Sequence, residues 1–154
     1  HVDNLCAYVK PGEVVLTWTD DRRDPQYEIS RDAYERLMQA RDARGRRFKV
    51  HKLQQPGPLH MTAEEAAGVD VAEGTQPRAA GGRMAASYVN FYIGNRRIVA
   101  PLLDPRRDRD ALRKLQDLFP KREVVGVPGR EILLGGGNVH CVTQQVPLAR
   151  DRRR

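Results

Sequence analysis

Cys141 follows the run Gly135-Gly136-Gly137-Asn138-Val139-His140 and leads into Val142-Thr143-Gln144-Gln145. A thiol behind a glycine-rich approach can act as a nucleophile, because a thiolate attacks electrophilic carbon and glycine lets a ligand come close to the main chain. The same residue type also serves as a small apolar core filler. Its partners decide between the two roles, and this stretch alone leaves both open. His140 to Thr143 alternates like a short strand, with the glycines as the loop before it. On a strand, His140 and Cys141 face opposite ways, so His140 is expected to be structural or to support the site from one step behind it. The three glycines lack the lysine and the strand-to-helix setting of a phosphate-binding loop.

Three more stretches are motif-like. They are His1-Val2-Asp3-Asn4, then Trp18-Thr19-Asp20-Asp21 with Asp24-Pro25-Gln26, then Ala86-Ser87-Tyr88-Val89-Asn90-Phe91-Tyr92. Together with Gly135–Gln145, and in this order, they resemble agmatine deiminases and, more loosely, the bacterial-type peptidylarginine deiminases. The resemblance runs to about Pro147.

The resemblance implies hydrolysis of the agmatine guanidinium to N-carbamoylputrescine and ammonia, in putrescine (polyamine) biosynthesis. Cys141 would attack the guanidinium carbon and form a covalent thiouronium intermediate. His1 would protonate the departing ammonia and then activate water. Asp3 would hydrogen-bond guanidinium nitrogens. The glycine loop Gly135–Gly137 would close against the substrate, with Gly135 and Gly136 among the substrate-binding residues, and Asn90 joins them without a derived role. Such a set answers what the chemistry demands: carboxylates to orient a cation, a strong nucleophile, and a group that gives and takes protons. It calls for no cofactor and no metal, and His51 and His60 have no partners at ligand spacing.

The resemblance also implies a fold. It is an α/β fold, a partial five-bladed α/β propeller (pentein), of which this chain would hold about two ββαβ units plus the active-site strand. Residues 1–147 would be the C-terminal fragment of a single deiminase catalytic domain, and 148–154 a basic, disordered tail. On this resemblance the chain is expected to open inside the second half of an enzyme more than twice as long. The glycine that precedes the catalytic histidine, and further acidic groups from earlier blades, are expected upstream. The isolated chain is therefore expected to be inactive. Two alternatives remain beside this reading: a peptidylarginine deiminase, and a non-catalytic basic α/β binding module.

The formal net charge is +7, from 27 Lys and Arg against 20 Asp and Glu. Arg150 and Arg152 to Arg154 concentrate part of it in the tail. Elsewhere the signs are interspersed, as in Asp20-Asp21-Arg22-Arg23-Asp24, which reads as a solvated surface rather than a phosphate track. The expected partner is the small molecule agmatine, with no nucleic acid and no membrane, and the resemblance admits a homo-oligomer at full length. Two cysteines at positions 6 and 141 make no disulfide framework, so a reducing, cytoplasmic compartment is expected.

The elements that must position these residues are legible from periodicity and turn signals. Leu5–Val9 and Glu13–Thr19 flank Pro11-Gly12 as a hairpin. If His1-Val2-Asp3 extends the first strand, His1 and Asp3 share one face. Ser30 reads as the N-cap of a helix over Arg31–Arg44, with an Ile29–Tyr34 staple and Gly45 as C-cap. Phe48–Leu53 alternates as a strand, and a long loop follows in which Thr62 caps a helical turn. Ser87–Ile93 and Arg97–Leu102 are strands, Asp104-Pro105 starts a helix that ends before Pro120, and Glu123–Val127 is a strand. A turn or short helix at Pro128–Leu133 leads to the active-site strand.

Overall fold

The computed structural model describes residues 1–70, 73–74 and 78–147. The expected basic tail at 148–154 lies outside the described residues. Two three-stranded mixed sheets, each with a helix, account for most of the fold. In the first, β1 (Cys6–Lys10) pairs antiparallel with β2 (Glu13–Trp18), and β2 pairs in parallel with β3 (Lys49–Gln54). The parallel step is made through helix α1 (Gln26–Gln39), which packs on β2 and β3. In the second, β4 (Tyr92–Ile93) and β5 (Arg97–Leu102) are antiparallel, and β5 and β6 (Glu123–Pro128) are parallel. Helix α3 (Asp108–Leu118) makes the crossover. Two short helices, α2 (Ala63–Ala67) and α4 (Arg130–Leu134), lie in the loop after β3 and after β6. Both units are ββαβ, with the same strand order. Among the described residues no helix is long and apolar enough to cross a membrane.

The middle strand of the first sheet is buried on both faces, from Val14 to Trp18. Trp18 packs edge-on against Tyr34 of α1, with ring centres 5.8 Å apart. Val15, with Leu53 of β3, joins Ile98, Ala100, Leu115 and Phe119 of the second unit in one hydrophobic cluster. The two units thus share a core, and α3 also touches β3. Apolar area removed from water at this junction stabilises each unit at about 25 cal/mol per Å².

Several local expectations are corrected. Helix α1 starts five residues before Arg31, because Asp24 and Pro25 form its entry. Asp24 Oδ1 accepts the Gln26 amide at 2.9 Å, and Pro25 has φ −53°, already helical. Ser30 is therefore inside the helix. It is fully buried, and its Oγ donates to Thr17 O at 2.7 Å, tying α1 to β2. Ile29 is 52% exposed and makes no staple. Gly45, at φ +76°, sits in a later turn whose ends bridge Arg41 to Arg47, so it is not the cap of α1. Helix α3 begins at Asp108, whose carboxylate accepts the amides of Leu103 and Asp104 at 2.8 and 3.0 Å. Of Ser87–Ile93 only the last two residues are strand. Ser87 folds the segment into a turn, its Oγ accepting Val89 N at 3.1 Å and its carbonyl accepting Asn90 N at 3.3 Å. Thr62 caps α2 through a full capping box with Glu65, as its sequence suggests.

Two corrections bear on the candidate chemistry. Val2–Asn4 is a 3-10 turn, not an extension of β1, with Leu5 N donating to Val2 O at 2.9 Å. His1 and Asp3 therefore do not share a strand face. His140 to Thr143 is also a turn, not a strand. Val142 N donates to Asn138 O at 3.3 Å and Thr143 N to His140 O at 3.1 Å.

Candidate active site

The 3-10 turn carries Asp3 to the turn that carries Cys141. Asp3 Oδ2 accepts a hydrogen bond from Cys141 Sγ at 3.0 Å, across 138 positions of sequence. The same oxygen lies 3.0 Å from His140 Nδ1. The expected opposition of His140 and Cys141 is thus overturned. Alternation holds only on an extended strand, and in this helical turn the two neighbours converge on one carboxylate. Burial pushes the Asp3 carboxyl up, but hydrogen bonds from Cys141 and His140 and the charge of His140 more than offset it, so it lies below its ordinary value. Among the described residues the side chains that bond Asp3, those of Cys141 and His140, both meet it at Oδ2.

The turn 138–143 is held from beneath by two asparagines, both without exposed surface. Asn138 donates from Nδ2 to Gly129 O at 2.9 Å, and its Oδ1 accepts Val139 N at 2.9 Å. This pins the turn to the entry of α4. Asn90, in the turn before β4, accepts His140 N at Oδ1 at 2.9 Å and Cys141 N at 3.4 Å. Its Nδ2 donates to Asn4 Oδ1 at 2.9 Å and to Cys141 Sγ at 3.1 Å.

The glycines have separate reasons. A Cβ on Gly137 would lie 2.5 Å from Cys141 Sγ and 2.7 Å from its Cβ, so the close approach requires glycine. Gly136 has φ +94° and is covered by the Arg78 guanidinium, whose Nη2 donates to Gly135 O at 3.0 Å.

Of the residues singled out by sequence, the structure brings Asp3, Asn90 and Cys141 into contact. Gly135 and Gly136 lie at the start of the same turn region, under Arg78. His1 is exposed, and no hydrogen bond joins its ring to Asp3 or Cys141 among the described residues. It lines a cavity of about 660 Å³ with Asn4, Gln26, Arg83 and Ser87. Cys141 is exposed, whereas Cys6 is half-buried, and burial pushes the Cys6 thiol up to about 11. Sequence reasoning missed Asn4 and Gly137 as neighbours of the thiol, and it placed His140 on the wrong face. Asn4 stood in the motif His1-Val2-Asp3-Asn4 but had no role there, and Gly137 was grouped with the other glycines rather than tied to Cys141.

Comparison with known proteins agrees on family. Residues 1–147 match the family model of Porphyromonas-type peptidyl-arginine deiminase. A protein of Shewanella baltica (strain OS223), named "Putative agmatine deiminase", is 58% identical over 147 residues, covering 96% of this chain and 40% of that protein. A protein of the same name from Shewanella frigidimarina is 61% identical over 148 residues, again covering 96% and 40%. A solved structure of the agmatine deiminase of Enterococcus faecalis superposes with a TM-score of 0.87 at 43% identity, covering 96% of this chain and 40% of that one. The chain thus spans about two fifths of the length of the relatives it matches. On the match over residues 1–147, the chain belongs to the Porphyromonas-type peptidyl-arginine deiminase family.

Proposed function

We propose that this chain is the C-terminal part of an agmatine deiminase, with Cys141 as its nucleophile. The observation that carries the reading is the Asp3 carboxylate oxygen 3.0 Å from Cys141 Sγ, inside a chain 58% identical to relatives of that name. A carboxylate beside a thiol suits a cationic substrate. The Asp3 carboxylate accepts guanidinium N–H groups and so sets the reacting carbon next to sulfur.

The thiolate of Cys141 attacks the guanidinium carbon, forming a C–S bond. The tetrahedral adduct expels ammonia as His1 donates a proton to the leaving nitrogen, and a thiouronium remains. Water, losing a proton to His1, adds to the same carbon. The C–S bond then breaks as the new hydroxyl loses its proton to solvent, returning the thiolate and releasing N-carbamoylputrescine. His1 must reach the reacting carbon for this sequence, a contact that can tighten only when substrate is bound. Gly135 and Gly136 would form the wall over the substrate. The repeated ββαβ topology supports the propeller reading, since two units of five equal the 40% of the relatives that the chain spans.

The test is ammonia release from agmatine by the whole encoded protein, by its Cys141→Ala variant, and by residues 1–154 alone. Turnover by the whole protein, loss of at least about a thousandfold in Cys141→Ala, and little or no turnover by the 154-residue piece are expected. The piece should fail because burying the substrate cation requires acidic partners beyond Asp3. Turnover of peptidyl-arginine but not agmatine would move the reading to the second substrate. Undiminished turnover in Cys141→Ala would overturn it.

A further inference from the structure

We infer that Asn90 is a positioning residue for the nucleophile, one that binds the sulfur of Cys141 rather than the substrate. The inference rests on the nucleophile reading above and goes beyond it. Asn90 has no exposed surface, and its whole carboxamide is engaged. Its oxygen accepts the peptide N–H groups of His140 and Cys141, at 2.9 and 3.4 Å. Its nitrogen has two N–H groups; the two shortest contacts are to Asn4 Oδ1 at 2.9 Å and Cys141 Sγ at 3.1 Å, with Asp3 O beyond them at 3.5 Å. The reverse orientation of the amide would set N–H groups against two peptide N–H groups, so the network admits one orientation. No atom is left to reach a substrate.

The consequence for chemistry concerns the charge on sulfur. Among the described residues Asn90 supplies the donor to Cys141 Sγ, while Asp3 presents a carboxylate to it. A negative neighbour disfavours the thiolate, and an N–H donor favours it. The Asn90 amide is thus placed to act on the sulfur as well as on the main chain. It also fixes the direction of attack, because one side chain grips both the main chain of the nucleophile and its sulfur. Asn4 completes the grip by fixing the second N–H group.

The test removes the donor to sulfur in two ways and reads the thiol apart from turnover. Asn90→Asp keeps an oxygen for the two peptide N–H groups but puts a second carboxylate oxygen where the amide donor met the sulfur. Asn90→Ala removes both the oxygen and the donor. In the whole encoded protein, the pH profile of Cys141 alkylation by iodoacetamide is read by peptide mass spectrometry. Agmatine kcat and KM are measured in parallel. Both variants should shift the alkylation profile upward by about one pH unit and lower kcat about tenfold or more, with KM changed less than about threefold. An unshifted profile in folded Asn90→Asp, or a raised KM at unchanged kcat, overturns the inference. If either variant fails to fold, the side-chain amide resonances of Asn90 in the unmutated protein decide. They should move when Cys141 is capped by methyl methanethiosulfonate, and their staying put overturns it. The alkylation and resonance readouts need no turnover, so a protein inactive on agmatine would refute the deiminase reading and leave this one standing or falling by itself.

Discussion

The two thiols of this chain differ because their surroundings do. Cys6 is pushed up to about 11 by burial, with no charged partner to favour its thiolate. Cys141 is exposed, between the Asp3 carboxylate and the Asn90 amide. A cationic haloacetamidine should therefore alkylate Cys141 and spare Cys6 near neutral pH, since the thiolate is the reacting species. The cation pairs with Asp3 as it approaches, so agmatine should protect. Peptide mapping after a timed exposure checks both points, and Cys6 as the labelled residue would refute the assignment. His140 illustrates the limit of local reading. Its type and position were plain, but its contact with Asp3 depends on a turn that alternating residues do not announce.

Two elements set the geometry around the thiol. The glycine approach is one. A methyl group on Gly137 would fall 2.5 Å from Cys141 Sγ, so Gly137→Ala must displace the thiol or the turn. Turnover should fall about a hundredfold from a misplacement of that size, while the urea midpoint moves little because the rest of the fold is untouched. Equal kcat in the two proteins would show that the turn has room to yield. The α2–α4 tie is the other. Arg130 donates to Glu65 at 2.6 and 2.9 Å and Thr62 N donates at 2.8 Å. The Arg130 bonds first, and the Thr62 amide next, hold Glu65 down at about 2 against an ordinary 4.5. A depressed carboxyl stabilises the fold fully above its unfolded value and ceases to as pH falls through its folded value. Glu65→Gln should thus be less stable than the parent at pH 7, with the gap closing between pH 4.5 and 2. Urea melts across that range check it. A gap independent of pH would mean that the ion pair contributes nothing.

At the scale of the molecule, two ββαβ units share one core. Leu115 of α3 is fully buried in the cluster that includes Val15 and Leu53 of the first unit. Thr17 of β2 also shares a 2.7 Å hydrogen bond with Ser87, before β4. Leu115→Ala should destabilise by about 2–5 kcal/mol. The loss should appear equally in Trp18 fluorescence, a probe in the first unit, and in far-ultraviolet circular dichroism. A Trp18 transition that stays in place while the dichroism shifts would show that the units unfold independently. The contact of Asp3 with Cys141 depends on this cooperation, because Asp3 precedes the first unit and Cys141 follows the second.

The sequence by itself determined the family resemblance, the two-fold recurrence of the ββαβ pattern, and most strands, since these follow from motifs and from the period of apolar residues. It marked Cys141, Asp3 and Asn90 as well, because their motifs are local. Tertiary structure decided the rest. Whether residues 1–4 and 140–143 are extended or turned depends on partners far away in the chain, and propensity over four residues is too weak to settle it. The start of α1 was hidden because Ser30, a good cap by type, is spent on Thr17 of a neighbouring strand, while Asp24 and Pro25 make the entry. The use of Asn90 was illegible for the same reason. A carboxamide has two donors and an acceptor wherever it stands, and only the arrival of the 138–143 turn against it gave those groups the peptide N–H groups and the sulfur of Cys141.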